Sequence, residues 1–390
     1  MEFKFSEEVD MLREVAREFT DAEIRPLADK IDEDEKIPEE LIKKMGQAGL
    51  MGVIMPQEYG GGGFGEMGYC VMQEEVAKGC GSTAVFLGAH LSIGSQSIIK
   101  FGSDETKAKY LPKLATGEHI CAYSLTEAGS GSDSAAMKCK AVFDGENWIL
   151  NGTKMWVTNG SIADVIVVYA IGVKDGKVFG PTAFVIETAW DGFNIDKIEK
   201  KLGIRGSVTA AISFDNMVVP PENVLLKAGA GFKVAMTILN CGRLGLGAGA
   251  LGQSKEALRL STSYSKQRVQ FGQKIGNFQA IQFMLAEMTV DIYAMESMLY
   301  RAAYAYDAGE KITRTASCVK TFCSEALDRI VDKSVQIHGG MGFSRELKVE
   351  RMYRDARINR VFEGTTEVQK MVIARDTMRK GGYKLSPKNI

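Results

Sequence analysis

Apolar residues at the start of the chain recur every three or four positions. Ser6 stands before Glu7 and Glu8, a hydroxyl cap followed by acids in a first helical turn. Val9, Leu12, Ala16 and Phe19 then form one apolar stripe of a helix. Pro26 is placed to bend it. Pro38 is placed to begin a second helix whose buried face is Leu41, Ile42 and Met45. Helical spacing continues from Glu66 to Phe101, broken by glycines. After about residue 120 the period changes. Val142-Phe143 and Trp148-Ile149-Leu150 flank Asp144-Gly145, and Met155-Trp156-Val157 follows Asn151-Gly152. Both dipeptides between apolar runs predict hairpins. Runs 165–171, 182–186 and 210–214 add strands, and Pro220-Pro221 closes the region. From Gly231 helical patterns return over 232–266, 274–308, 312–338 and 364–379, enough for a four-helix bundle. The polar tail from Gly381 to Ile390 reads as loose. The pattern therefore predicts a mostly α chain with a central β-domain: helices over 1–120, strands over 121–230 and a four-helix bundle over 231–390.

Composition adds exclusions. The 390 residues exceed one ordinary core. A net charge of −1 argues against a nucleic-acid binder. No apolar run reads as long enough to span a bilayer. The first residues, Met1 to Phe5, lack the apolar core of a signal peptide and the arginines of a transit peptide. The expected location is the cytoplasm of a bacterium, or the mitochondrial matrix if the source is eukaryotic and the chain processed. Seven cysteines, an odd number with no Cys-x-x-Cys, read as free thiols. Three histidines without ligand spacing give no reason to expect a metal.

Two segments fit the G-x-G-x-x-G dinucleotide pattern, 63–68 and 247–252. That motif needs a strand before it and a helix after it. The first follows a loop and the second lies within a helical stretch, so both read as structural. The segment 123–133 mixes hydroxyls, small residues and acids, and suits either a ligand cradle or a flexible surface loop. Trp156 to Gly160 closes a strand; the indole can stack on a flat ring, or be a core tryptophan beside a turn. Arg268, between two helices, is a phosphate clamp or a solvated loop charge. Gln336 to Phe343 ends a helix with three glycines, which permits close backbone approach to a ligand or simply makes a turn. Phe362-Glu363-Gly364-Thr365-Thr366-Glu367 is the candidate for chemistry. Burial of an acid beside Phe362 would raise its pKa and suit it to proton abstraction. Taken singly, it reads rather as a helix-start acid favoured by the dipole.

Together, five such segments in this order resemble the acyl-CoA dehydrogenase family, over nearly the whole chain from about Phe5 to Met378. The resemblance implies a helical N-terminal domain, a β-barrel-like middle domain, a C-terminal four-helix bundle, bound FAD and a homotetramer. It implies that Tyr123, Leu125, Thr126, Ser132, Trp156 and Thr158 line the flavin. Arg268, Phe271 and Gln279 would reach FAD from the adjacent protomer. Gln336, Gly339 and Gly340 would run along its adenosine and diphosphate, with Thr365 and Glu367 near the flavin's other end. Ser132, Asn240, Arg243 and Gly364 would face acyl-CoA. Family members place the catalytic base either just before Gly364 or just before Arg243. Gly242 occupies the second point, so Glu363 is the base the resemblance implies. The implied reaction is α,β-dehydrogenation of an acyl thioester to the trans-2-enoyl product. The backbone N–H of Glu363 would help stabilise the carbonyl, hydride would go to flavin N5, and electrons would pass to electron-transferring flavoprotein. Ala84 and Gly88 share one face of a helix that resembles the pocket wall. With nothing bulky on that face an open floor is expected; Leu87-Gly88-Ala89-His90 is similar to the very-long-chain branch, and medium to long straight chains are expected, with a short-chain, branched or cyclic substrate left open. An acyl-CoA oxidase, an enoyl-CoA reductase and a non-enzymatic assembly protein remain the competing readings.

Overall fold

The computed structural model describes residues 5–382. Helix α1 spans Glu7–Phe19, with the Ser6 hydroxyl accepting from Val9 N–H and Val9, Leu12 and Ala16 buried. It does not simply bend at Pro26: a π turn over Thr20–Ile24 and a 3-10 turn over Arg25–Leu27 carry the chain into α2, Ala28–Glu33. Pro38 caps α3, Glu39–Gln47, whose buried residues are Leu41, Ile42 and Met45. Helices α4 (Gly65–Gly79), α5 (Gly81–Gly88) and α6 (Gln96–Phe101) follow, α5 and α6 joined by a π segment over Ala89–Ser95. Helix α7, Asp104–Thr116, was not read from the pattern, because Pro112 sits inside it. Its start is nevertheless signalled by the Ser103 cap, which accepts from Thr106 N–H.

Seven strands make one sheet: β1 (Cys121–Ser124), β2 (Lys140–Phe143), β3 (Trp148–Thr158), β4 (Val165–Lys174), β5 (Lys177–Glu187), β6 (Phe193–Ile198) and β7 (Thr209–Val219). Its order is β1-β4-β2-β3-β7-β6, with β5 paired to β4. The Asp144-Gly145 hairpin joins β2 and β3 as expected. The second expected hairpin does not exist. Strand β3 runs through Asn151-Gly152, where the register against β7 slips between Leu150 and Gly152. Gly152 has φ 137, and a Cβ there would lie 2.8 Å from the Cα of Cys139. A bulge and a close backbone approach use the same residues as a turn, and here the bulge wins.

Strand β4 shows how the layers meet. Val165, Val167 and Tyr169 join the core shared with the helices, while Ile166, Val168 and Ala170 join the sheet's own core. Because successive side chains point to opposite faces, a strand covered on both sides reads as one continuous apolar run.

The C-terminal half holds α8 (Gly231–Gln267), the short hairpin β8 (Val269–Gln270) and β9 (Gln273–Lys274), α9 (Gln279–Asp307), α10 (Thr313–His338), α11 (Gly340–Phe343), α12 (Lys348–Ala356) and α13 (Thr366–Lys380). The expected absence of a membrane-length run is corrected: α8 is long and apolar enough to cross a membrane by length and composition. Yet 72% of its most apolar window is buried inside the protein. Its glycines serve packing. A Cβ on Gly252 would lie 2.1 Å from the Glu74 carbonyl oxygen of α4, and one on Gly247 would lie 2.6 Å from Val319 of α10. The 63–68 match is equally a packing feature: a Cβ on Gly68 would meet Phe64 at 2.3 Å. Most of the tail expected to be loose lies outside the described residues.

Candidate active site

Glu363 sits between the 3-10 turn Arg357–Arg360 and α13, in the left-handed region at φ 56, followed by Gly364 at φ 87. A side chain in that region costs on the order of 1–3 kcal/mol, so neighbouring contacts must hold it. Gln369, fully buried on the first turns of α13, donates from Nε2 to the carbonyls of Glu363 (3.2 Å) and Gly364 (3.1 Å). Arg243 of α8 donates to the Glu363 carbonyl at 3.4 Å and to Asn240 Oδ1 at 3.2 Å. The Thr365 hydroxyl caps α13 by accepting from Val368 N–H. These contacts aim the carboxyl at α8. A Cβ built on Gly242 would lie 2.4 Å from Glu363 Oε2, so the carboxyl occupies the space that a side chain at position 242 would need.

The residue is half-buried, but Oε2 is sealed from solvent and has no hydrogen-bond partner. Burial raises the carboxyl to about 7, against the pull of Arg243 and Lys320, which lower it. Lys320 is fully buried on α10, with Nζ unpartnered, and burial lowers it to about 8. A half-protonated carboxyl at neutral pH, with a free oxygen, suits proton transfer.

The carboxyl opens into a cavity of about 740 Å³, within the range of small-molecule sites. Tyr123, Leu125, Thr126, Ser132, Thr158, Arg243, Glu363 and Gly364, all named from the sequence, line this one space. Leu125 and Thr126 are held by a buried ion pair: Lys154 Nζ bonds Glu127 Oε1 at 2.8 Å and the Leu125 carbonyl at 3.0 Å. Trp156 stands beside the wall, next to Met155, at φ 58 and 55% exposed, where β3 slips register between Lys154 and Val157. Asn240 is reached through Arg243. Within one chain the remaining named residues are not brought to the cavity. Arg268, Phe271 and Gln279 are exposed around the β8–β9 hairpin, and Phe271 is 93% exposed. Gln336, Gly339 and Gly340 are exposed where α10 meets α11, Glu367 is exposed on α13, and Thr365 is engaged as its cap.

The open floor expected from Ala84 and Gly88 is corrected. A Cβ on Gly88 would find Gln73 Nε2 at 3.2 Å and the Tyr69 hydroxyl at 3.4 Å, and Tyr69 also lies against Gly245. Side chains of α4 therefore take up the space the small residues leave. The sequence reading missed Tyr69, Gln73, Lys320 and Gln369. Lys320 had a signal, since it interrupts the buried stripe Ala316, Val319, Cys323, Leu327.

Three family models match the chain: the acyl-CoA dehydrogenase N-terminal domain over 6–118, its middle domain over 122–217 and its C-terminal domain over 229–378. A short-chain specific acyl-CoA dehydrogenase of Clostridium acetobutylicum is 42% identical over 97% of this chain and 100% of its own length. An NADH-dependent acryloyl-CoA reductase of Anaerotignum propionicum is 40% identical over 97% of each chain. A chain from structural work on the electron-transferring flavoprotein of Acidaminococcus fermentans superposes with a TM-score of 0.95, at 39% identity, over 97% of this chain and 100% of that one. The relatives described here act on small acyl groups by name, and neither belongs to the medium- to very-long-chain branch expected from Leu87 to His90. With its fold, its site and these matches in agreement, the chain belongs to the acyl-CoA dehydrogenase family of FAD-dependent oxidoreductases.

Proposed function

We propose that the protein dehydrogenates a compact acyl-CoA between its α and β carbons, with Glu363 as the base. The observation that carries this is the Glu363 carboxyl, raised to about 7 by burial, with Oε2 unpartnered, on a residue that lines the cavity shared with Tyr123, Leu125, Thr126 and Thr158. Glu363 Oε2 accepts the α-proton. Its backbone N–H lies on the same loop, where it donates to the thioester carbonyl as negative charge develops. Gln369 and Arg243 hold that loop against its backbone strain. Leu239, Leu246 and Phe362 line the cavity and keep water from the reacting carbons.

The wall from Tyr123 to Ser132, with Trp156 and Thr158, fits a flat ring: an exposed indole and a threonine flank an apolar slot. FAD bound there supplies the acceptor for the β-hydride. Ser132, Arg243 and Gly364 face acyl-CoA, with Asn240 behind Arg243. Arg268, Phe271, Gln279, Gln336, Gly339 and Gly340, exposed in one chain, belong to the FAD site of an adjacent copy. Phe283, Val290, Tyr293 and Tyr304 make an exposed apolar stripe on α9, from 57% to 73% exposed, which a homotetramer covers. Electron-transferring flavoprotein is the proposed acceptor, supported by the structural match described above.

A second reading has its own support. A carboxyl at about 7 is half protonated at neutral pH and returns a proton to the α-carbon as readily as it takes one. The likeness to an acryloyl-CoA reductase favours that reverse direction. The test is anaerobic mixing of the yellow protein with acyl-CoAs of increasing size. Bleaching of the flavin by small members supports the dehydrogenase; no bleaching by any refutes it. Comparing turnover with electron-transferring flavoprotein, dioxygen and a reduced donor plus enoyl-CoA separates dehydrogenase, oxidase and reductase.

A further inference from the structure

The deep end of the cavity is polar. Gln73 of α4 and Gln253 of α8 both line it, and they are only 3% and 5% exposed. Each has a side-chain oxygen, Oε1, with no hydrogen-bond partner. The orientation of Gln73 is set by chemistry: its Nε2 donates to the Ala84 carbonyl at 2.5 Å, which leaves Oε1 as an acceptor. The two amides belong to one place. Helices α4 and α8 touch where Gly252 meets the Glu74 carbonyl, so Gln73 and Gln253 flank a single crossing. Both also lie under α5, Gln73 at Ala84 and Gly88 and Gln253 within 3.5 Å of a Cβ on Gly81.

The face of α8 toward the cavity gives the depth. Gly242, Gly245, Gly249 and Gln253 recur at helical spacing and all line it. Gly242 abuts the base, while a Cβ on Gly249 would meet nothing within 4 Å, so the cavity is open there. Seven residues separate those two glycines, about 10 Å along the helix. Helical side chains lean toward the N-terminus, which brings the Gln253 amide back toward the level of Gly249. A butyryl chain reaches only about 2.5 Å past its α-carbon, and would leave both amides unmet.

We propose that the acyl group carries a hydroxyl at its far end, which donates to Oε1 of Gln73 and accepts from the amide of Gln253, whose two ends no hydrogen bond fixes. This rests on the acyl-CoA reading of the site and adds the substrate's class. The Gln73 acceptor calls for a donor, which a carboxylate does not carry, and a hydroxyl serves both amides at once. The group that spans the gap is a hydroxylated chain of about six carbons, or a short propanoyl arm ending in a phenol.

The experiment uses the flavin-loaded protein, anaerobically, with matched pairs of thioesters: hexanoyl-CoA against its ω-hydroxy counterpart, and phenylpropanoyl-CoA against its para-hydroxy counterpart. Rates of flavin bleaching give kcat/KM for each. In at least one pair the hydroxylated member is preferred roughly tenfold to a hundredfold. That ratio falls to about one in Gln73→Met or Gln253→Leu. Bleaching with equal efficiency in both pairs overturns the hydroxyl proposal alone, and means that water satisfies the floor. A ratio kept in both variants also overturns it, because the preference then arises elsewhere. No bleaching by any thioester overturns the dehydrogenase reading and this proposal together. The wild-type pairs decide the matter even if a variant does not fold.

Discussion

Gly242→Ala is a change of one methyl group that separates catalysis from stability. In the structure that methyl would lie 2.4 Å from Glu363 Oε2 and 2.9 Å from Ile93 Cγ2. Ordinary contact begins at 3.4 Å, so the carboxyl must retreat by about 1 Å (3.4 minus 2.4). Alanine favours the helix by about 0.5–1 kcal/mol over glycine, while overpacking costs about 1–3 kcal/mol. The net loss of stability is therefore modest, between about 0 and 2.5 kcal/mol. Displacing a catalytic group by about 1 Å costs on the order of a hundredfold in rate, near 2.7 kcal/mol of barrier. Single-turnover flavin bleaching with saturating acyl-CoA should show that loss, beside a denaturation midpoint close to wild type. A variant that folds, binds flavin and reacts at the wild-type rate would refute the placement of the carboxyl against α8.

Other expectations follow from the same loop. Gln369→Leu strands the Gly364 carbonyl and leaves the Glu363 carbonyl with Arg243 alone, and should cost about 1–3 kcal/mol in urea unfolding; its kcat should fall more than its KM rises, because the strained backbone at Glu363 loses part of its clamp. Unchanged stability would show that other groups hold that loop. The base must be ionised to accept a proton, so with a carboxyl at about 7 the bleaching rate should climb as pH rises through neutrality. Lys320→Met removes a charge that holds this carboxyl down, so the rising limb should move to higher pH. A limb centred near about pH 5 in wild type, or one unmoved in the variant, would contradict the electrostatics.

The sequence showed most where chemistry is local. Ser6 and Pro38 mark helix starts through their own side chains, and Asp144-Gly145 makes its turn within four residues. Asn151-Gly152 misled because the deciding contact, Cys139 beneath Gly152, lies across the sheet. The pocket floor failed for the same reason: Ala84 and Gly88 are small, but Tyr69 and Gln73 arrive from another helix. Glu363, the proposed base, was singled out by its motif, yet the contacts that hold it, Gln369 and Arg243, were not, since no pattern tells which buried polar group meets which carbonyl. Phe271 and Gln279 show the limit of a single chain, because the role proposed for them lies in an adjacent copy.

The central claim is that Glu363 moves the α-proton. Washout of deuterium from an α-deuterated acyl-CoA into solvent reads that step directly. The wild-type protein should exchange the label, and Glu363→Gln should retain its flavin while losing exchange by at least about a thousandfold. Exchange at the wild-type rate in a yellow Glu363→Gln protein would contradict the account.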